Sequence, residues 1–246
     1  MNTYGLVGKP LAHSFSKKYF TQKFEAEGLV DNRFELFPLD NIRELTALVQ
    51  KEPSLKGLAV TIPYKESVLP LLNRLDEKAR EIGAVNCIRF DNGKLTGFNT
   101  DAIGFERSLV PHLTNVHKKA LVLGSGGSSK AIQYVLRKLG IYFQVVSRYK
   151  NEKRHFILYE EVTPGILQDH LLVVNCTPVG MFPDVYAQPP LPYNGIGQTH
   201  LLYDLIYSPA QTKFLTNGVQ NGAVVKNGLE MLEIQAEENW KIWNGL

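Results

Sequence analysis

Ala120-Leu121-Val122-Leu123-Gly124-Ser125-Gly126-Gly127-Ser128-Ser129 is the stretch that decides the fold. Its first four residues form a continuous apolar run, the pattern of a strand buried on both faces of a parallel sheet. Gly124 permits a tight turn, and Gly126 lets the backbone approach a pyrophosphate. A helix-like run from Lys130 to Leu139 follows, closed by Gly140. The N-terminus of such a helix offers N–H groups and partial positive charge to phosphate oxygens. Small Ser129 suits helix–strand packing at the third position of the pattern. Gly124, Ser125, Gly126, Gly127 and Ser128 are therefore the expected phosphate-binding turn.

Downstream, Tyr142 to Ser147 reads as a second strand, continuing Val146-Ser147-Arg148-Tyr149-Lys150. A turn that binds NAD usually has Asp or Glu at this point, about 20 residues after the glycines, to hold the ribose hydroxyls. No acid stands there. Arg148 can stack on adenine and pair with a 2′-phosphate, with Ser147 and Lys150 adding donors, so NADP is expected over NAD. Leu171–Asn175, Leu201–Asp204 and Ala223–Val225 are further strand candidates, which makes a βαβ series of Rossmann type. The stretch from Arg148 to Asp169 lacks a helical pattern, so one crossover helix is expected to be trimmed to a loop.

Upstream, the first hundred residues also alternate strands and helices. Leu6-Val7 leads into a loop, Ser16 is placed to cap a helix carrying Tyr19, Phe20 and Phe24, and Gly28 is placed to stop it. Phe34–Leu39 reads as a strand, Asp40 as the cap of a helix with Ile42, Leu45 and Val49 on one face, and Gly57–Val60 as a short buried strand. Val85–Phe90 and Leu95–Phe98 flank Asp91-Asn92-Gly93-Lys94, a hairpin signal that adds an antiparallel element near one sheet edge. Gly228 to Trp243 reads as a final helix. The expectation is an α/β protein of two domains: a substrate domain of residues 1–100 plus 228–246, and a Rossmann-type domain of residues 101–227.

Composition agrees with that class. At 246 residues, 44% hydrophobic and 21% charged, the chain has enough apolar surface for two cores and no run long enough to span a membrane. A net charge of +3 is too small to argue for nucleic acid but suits an anionic substrate and cofactor. Met1-Asn2-Thr3-Tyr4-Gly5 lacks the basic region and apolar run of a signal peptide, so a cytoplasmic protein is expected. Cys87 and Cys176 are read as buried thiols, not as a disulfide or a metal site.

Outside the glycine turn, single residues are ambiguous. Thr61 and Lys65 emerge at the C-terminal end of a buried strand, where α/β proteins place ligands, yet a lone lysine there is usually just solvated. Asp101 reads equally as an N-cap, and Ser14 and Ser16 as cap and turn residues. Their joint pattern is more telling. Gly8-Lys9-Pro10-Leu11-Ala12-His13-Ser14-Phe15-Ser16, Ala59-Val60-Thr61-Ile62-Pro63-Tyr64-Lys65, Gly83-Ala84-Val85-Asn86 and Gly97-Phe98-Asn99-Thr100-Asp101 occur in this order. Gly124-Ser125-Gly126-Gly127, Asn175-Cys176-Thr177-Pro178-Val179-Gly180-Met181, Asp204-Leu205-Ile206-Tyr207 and Gly228-Leu229-Glu230-Met231-Leu232-Glu233-Ile234-Gln235 follow. Spread over nearly the whole chain, these blocks resemble those of the shikimate dehydrogenase family.

The resemblance implies NADPH-dependent reduction of 3-dehydroshikimate to shikimate, with Lys65 and Asp101 as the catalytic pair. Ser14, Ser16, Thr61, Lys65, Asn86, Asp101, Tyr207 and Gln235 are implied to bind the substrate. Thr177 and Met181 are implied beside the nicotinamide, with Gly228 and Met231 near the same cleft, and the C-terminal helix is implied to return to the first domain. No metal is implied, and the assembly expected is a monomer or homodimer. Three positions depart from the family pattern: Ala59 where asparagine is common, Glu230 where glycine is common, and Glu152 where a second basic residue would help, leaving Lys150 or Lys153 as substitute. An NAD-linked quinate/shikimate dehydrogenase and a non-catalytic shikimate-binding homologue are the alternatives. Arg148 argues against the first, and intact Lys65 and Asp101 argue against the second.

Overall fold

The computed structural model describes residues 1–11, 14–91, 93–150 and 156–246. The chain divides into two compact units, Met1–Thr100 with Gln235–Leu246, and Asp101–Ile234.

The first unit comprises β1 (Asn2–Gly8), α1 (Phe15–Ala26), β2 (Asn32–Pro38), α2 (Leu45–Lys51), β3 (Leu55–Val60), β4 (Arg74–Leu75), α3 (Glu77–Ile82), β5 (Cys87–Asp91) and β6 (Lys94–Phe98). The strands lie in the order β2-β1-β3-β5-β6-β4. β1 runs parallel to β2 and β3, and β5 is antiparallel to β3 and β6. Side chains alternate across the sheet as the pleat requires. Val7, Leu58, Val60 and Ile88 join one apolar cluster, whereas Leu6, Ala59 and Cys87 join the other with Phe20, Phe24 and Phe34. Ala236 and Trp243 complete the second cluster from the C-terminal segment. Because β5 is antiparallel, its N-terminal end meets the C-terminal ends of β3 and β6, which brings Thr61, Asn86 and Thr100 to one edge of the sheet.

Some caps differ from expectation. Ser14 caps α1, its Oγ accepting from the Lys17 N–H at 3.3 Å, while Ser16 is buried in the first turn. Asn41, not Asp40, opens the next helix through a capping box with Glu44; Asp40 pairs with Lys9 instead. Both shifts exchange one capping residue type for another close by in the chain. The hairpin pairs Asp91 with Lys94 and has Gly93 at positive φ, and Asn92 lies outside the described residues.

The second unit comprises α4 (Asp101–Leu109), β7 (Lys119–Leu123), α5 (Gly127–Lys138), β8 (Tyr142–Ser147), β9 (Ile157–Leu158), α6 (Pro164–Asp169), β10 (Leu172–Asn175), β11 (Leu201–Asp204), α7 (Lys213–Gln220) and β12 (Val224–Lys226). All its strand pairs are parallel, in the order β12-β11-β10-β7-β8-β9. Numbered within the unit this is 3-2-1-4-5-6, the doubly wound dinucleotide-binding order. β7 is fully buried from Ala120 to Leu123. α6 occupies part of the stretch expected to be loop, with Thr163 as its N-cap and Pro164 in its first turn. At six residues it is too short to display helical periodicity. Cys176 follows β10 and is only half-buried, unlike Cys87.

The last helix, α8 (Leu229–Trp243), starts in the second unit and ends in the first. Its opening turns belong to the second unit, where a side chain on Gly104 of α4 would sit 2.5 Å from the Met231 carbonyl. The return to the first unit thus begins at Gln235, later than the expected Gly228. Among the described residues no helix is long and apolar enough to cross a membrane.

Candidate active site

In the first unit the loops after β1 and β3 are stitched together, the Lys9 N–H donating to the Ile62 carbonyl at 3.1 Å. Thr61 continues β3, its N–H reaching the Val7 carbonyl at 2.9 Å. Lys65 is half-buried, and its carbonyl accepts from the Val85 N–H at 2.8 Å, which sets it beside the segment leading to Asn86. Asn86 in turn is locked into the sheet by its own backbone, donating to Phe98 at 3.1 Å and accepting from Val60 at 2.8 Å. Its side-chain carbonyl accepts from the Thr100 N–H at 2.7 Å, and its amide nitrogen donates to Gln235 Oε1 at 3.2 Å. Thr61, Lys65, Asn86 and Gln235 therefore gather at one end of this sheet. Ser14 and Ser16 stand at the start of α1, in the connection leaving the same end of β1.

Two members of this cluster were not among the expected binding residues. Thr100 donates its hydroxyl to Asn239 Oδ1 at 2.7 Å, and Asn239 Nδ2 donates to Gln235 Oε1 at 3.2 Å. The available signal was the spacing of Gln235 and Asn239, which places both on one helix face. Ala59, at a position where the family commonly has asparagine, is part of the apolar cluster on the other side of β3 from Val60.

In the second unit Asp101 is buried at the start of α4. The glycine turn sits between β7 and β10, where the strand order reverses. Gly124 has φ of +100°, and a Cβ there would lie 2.9 Å from Thr177 Cγ2, so the turn and Thr177 are in direct apposition. Gly126 is different: it is extended, exposed, and a Cβ on it would meet nothing within 4 Å. It precedes α5, which no side chain caps. The first turn of that helix, Gly127 and Ser128 included, thus presents its N–H ends to the space left by Ser125 and Gly126. Ser129 is fully buried against the sheet, as the packing position requires.

Beyond β8, Ser147 is buried and its Oγ accepts from the Tyr149 N–H at 3.2 Å, which shapes the turn. Arg148 and Lys150 are exposed, and the Arg148 guanidinium stands 5.8 Å from the centre of the Tyr149 ring. The positions of Glu152 and Lys153 lie outside the described residues. No carboxylate follows Ser147 directly, and the uncapped helix, the bare Gly126 edge and two cations after β8 fit a dinucleotide with a 2′-phosphate.

Thr177 is held by Asn175, whose Oδ1 accepts from the Thr177 N–H at 3.1 Å and its hydroxyl at 2.6 Å. Asp204 lies behind Asn175 and accepts from its Nδ2 at 3.0 Å. Burial pushes the Asp204 carboxyl up to about 6, against the opposing pull of bonds from Thr212, Ile206 and Asn175. Met181 is exposed, Met231 buried and Tyr207 half-buried. Gly228 has no room for a side chain, since a Cβ would stand 2.1 Å from the Leu205 carbonyl. Glu230 forms an ion pair with Lys226.

Fold and site together define a two-unit oxidoreductase of the dinucleotide-dependent class, with one unit for cofactor and one for substrate. Residues 6–88 match the family described as the shikimate dehydrogenase substrate binding domain. The chain is 38% identical to the NADP(+) shikimate dehydrogenase of Oleidesulfovibrio alaskensis, over 98% of this chain and 89% of that one. It belongs to the shikimate dehydrogenase family. The crystal structure of shikimate dehydrogenase from Aquifex aeolicus superposes with a TM-score of 0.88 at 35% identity, covering 100% of this chain and 93% of that one. The Thermus thermophilus shikimate 5-dehydrogenase, solved in complex with NADP(H) and shikimate, gives 0.87 at 31% identity, covering 100% and 94%.

Proposed function

We propose that this chain reduces 3-dehydroshikimate to shikimate reversibly with NADPH, and that Lys65 and Asp101 serve the reacting carbon. The reaction belongs to the shikimate route to chorismate and the aromatic amino acids. NADPH supplies the hydride. Negative charge then builds on the ketone oxygen, which needs a cation and a proton nearby. The Lys65 ammonium provides both, and the Asp101 carboxylate orients it and accepts from the neighbouring hydroxyl. Ser14 and Ser16 are the natural donors for the substrate carboxylate, with Thr61, Asn86, Tyr207 and Gln235 for its hydroxyls. Thr177, Met181, Gly228 and Met231 flank the nicotinamide in this reading, while Gly124 to Ser128 hold the pyrophosphate and Arg148 and Lys150 the 2′-phosphate beyond Ser147. A cytoplasmic monomer or homodimer acting on small molecules, not on nucleic acid or membrane, completes it.

The observation that carries this reading is the gathering of Thr61, Lys65, Asn86 and Gln235 at one sheet end, in a chain with a separate NADP-type unit. Paired assays of shikimate and quinate oxidation with NADP+ and NAD+ test it. NADP-linked shikimate oxidation is expected to dominate. NAD-linked quinate oxidation exceeding it would overturn the substrate and cofactor assignment.

A further inference from the structure

We propose that Asn239 is a positioning residue that fixes which face of the Gln235 amide is offered to the substrate. An amide side chain can be turned either way, and only its partners decide which end is oxygen. Here one partner is unambiguous, because a backbone N–H can only donate. The Thr100 N–H meets Asn86 Oδ1 at 2.7 Å, so the other end of Asn86 is its NH2. That NH2 donates to Thr100 Oγ1 at 2.9 Å and to Gln235 Oε1 at 3.2 Å.

The direction propagates further. Thr100 Oγ1 receives a proton from Asn86, so its own proton goes outward. Asn239 Oδ1, at 2.7 Å, is the nearer acceptor, with Asn86 Oδ1 at 3.2 Å the longer alternative. Asn239 is thereby held with its carbonyl toward Thr100 and its NH2 toward Gln235 Oε1, at 3.2 Å. Gln235 Oε1 thus takes two N–H bonds, from Asn86 and Asn239, and its Nε2 is turned away from this network. The residue presents a donor, which suits a hydroxyl or ketone oxygen.

Burial makes the arrangement binding on its members. Thr100 is 0% exposed, Asn239 1%, Asn86 2% and Gln235 7%. Bulk water does not replace a lost partner at such depth, and an amide turned the wrong way sets N–H against N–H or oxygen against oxygen. Asn239 stands four residues after Gln235, one helical turn along α8, so a shift of that turn moves both groups together.

This inference rests on the reading of Gln235 as a substrate-binding residue, and the test separates the two. The isosteric variant Asn239→Asp is assayed across pH in the full-length protein, always as a ratio to the parent. At pH 8 the ionised carboxylate only accepts, so it draws the Gln235 NH2 inward. KM for shikimate is expected to rise about tenfold, the worth of one hydrogen bond to a charged or reoriented partner, with KM for NADP+ unchanged. As pH falls and the introduced carboxyl takes up a proton, an O–H donor to Gln235 Oε1 is restored and the ratio should return toward one. Asn239→Ala has no donor at any pH, so its smaller rise in KM for shikimate should be independent of pH. A pH-independent ratio for Asn239→Asp overturns the proposal, as does an equal rise in KM for NADP+. If Asn239→Asp does not fold, an unchanged KM for shikimate in Asn239→Ala overturns it. Gln235→Leu tests the underlying reading: an unchanged KM for shikimate there removes Gln235 from the binding set, whatever Asn239 does.

Discussion

Thr212 donates its hydroxyl to Asp204 Oδ2 at 2.6 Å and also caps α7, accepting from the Leu215 N–H at 3.3 Å. The other carboxylate oxygen takes bonds from Asn175 and from the Ile206 N–H, each at 3.0 Å. A buried carboxylate thus sets Asn175, which sets Thr177, which faces the glycine turn. Burial dominates its titration: the folded value of about 6 lies above the ordinary 3.8. The folded state therefore holds this proton more tightly than the unfolded chain does. That contribution is fully present below about pH 4 and is lost as pH rises through about 6, a span worth roughly 3 kcal/mol. Asp204→Asn removes the titration while keeping the shape. Its Tm relative to the parent should climb by several degrees between pH 4 and 7 and stay flat below pH 4. A difference that does not change with pH would sink the assignment of this proton to Asp204.

The two glycines of the turn should separate stability from cofactor binding. At Gly124 the positive φ and the close Thr177 methyl both oppose a side chain, so Gly124→Ala should lower Tm. At Gly126 the backbone suits any residue and there is open space, so Gly126→Val should leave the apoprotein Tm within about a degree or two. Its added methyl groups would occupy the line of approach of the pyrophosphate, and KM for NADP+ should rise at least about tenfold. Thermal melts without cofactor, beside steady-state kinetics, decide between these outcomes. Normal NADP+ kinetics in Gly126→Val would move the phosphates elsewhere.

Arg148→Ala tests cofactor choice. A guanidinium pairing with a phosphate makes charge-assisted bonds of about 1.5–3 kcal/mol, so KM for NADP+ should rise roughly ten- to a hundredfold. KM for NAD+, which has no 2′-phosphate, should change far less. Equal effects on both cofactors would assign Arg148 to adenine stacking alone.

How much of this was legible in the sequence depended on how local the cause was. β8 and β11 were readable to the residue because they are apolar runs framed by polar turns. α6 was not, since six residues hold too few turns to show a period, although Thr163-Pro164 is a cap signal in retrospect. Ser14 and Asn41 replaced Ser16 and Asp40 as caps because neighbouring candidates of equal chemistry are separated only by backbone geometry. The strand order of the second unit follows from repeated parallel crossovers, which the glycine turn implied. Asn239 was invisible for the opposite reason. Its partner Thr100 lies 139 residues away, and a polar residue on a C-terminal helix reads as a solvent-facing one until the fold buries it.

Trp243 shows the same long-range dependence in the apolar core. Its indole N–H donates to the Ile88 carbonyl at 3.1 Å, and its ring stacks on Tyr4 at 5.2 Å. A Cβ on Gly57 would lie 2.1 Å from the Trp243 ring. Gly57→Ala should therefore displace the indole and destabilise by about 1–3 kcal/mol, the usual cost of overpacking. Trp243→Leu should offset part of that loss in the double variant, because the leucine side chain leaves space where the indole lay. Denaturant melts of the two single variants and the double variant measure the coupling. Simple additivity would mean that the ring is not what Gly57 accommodates.

Lys65 carries the chemistry in the proposed reaction, and its removal should be felt in turnover before binding. Lys65→Ala takes away the proton donor and the cation beside the developing oxyanion, while Thr61, Asn86 and Gln235 continue to hold the hydroxyls. Loss of a general acid costs about 10²–10⁴-fold in rate, so kcat should fall within that range while KM for shikimate changes by only a few fold. The split matters because a lysine that merely binds substrate would raise KM and leave kcat nearly intact. Equilibrium binding of shikimate to the variant, measured by calorimetry, supplies the second arm. Retained binding with lost turnover separates catalysis from recognition and also removes the reading of this chain as a shikimate-binding protein without activity. Near-normal kcat in Lys65→Ala would transfer the proton to another group, and the buried carboxyl of Asp101 would be the first to test by Asp101→Asn.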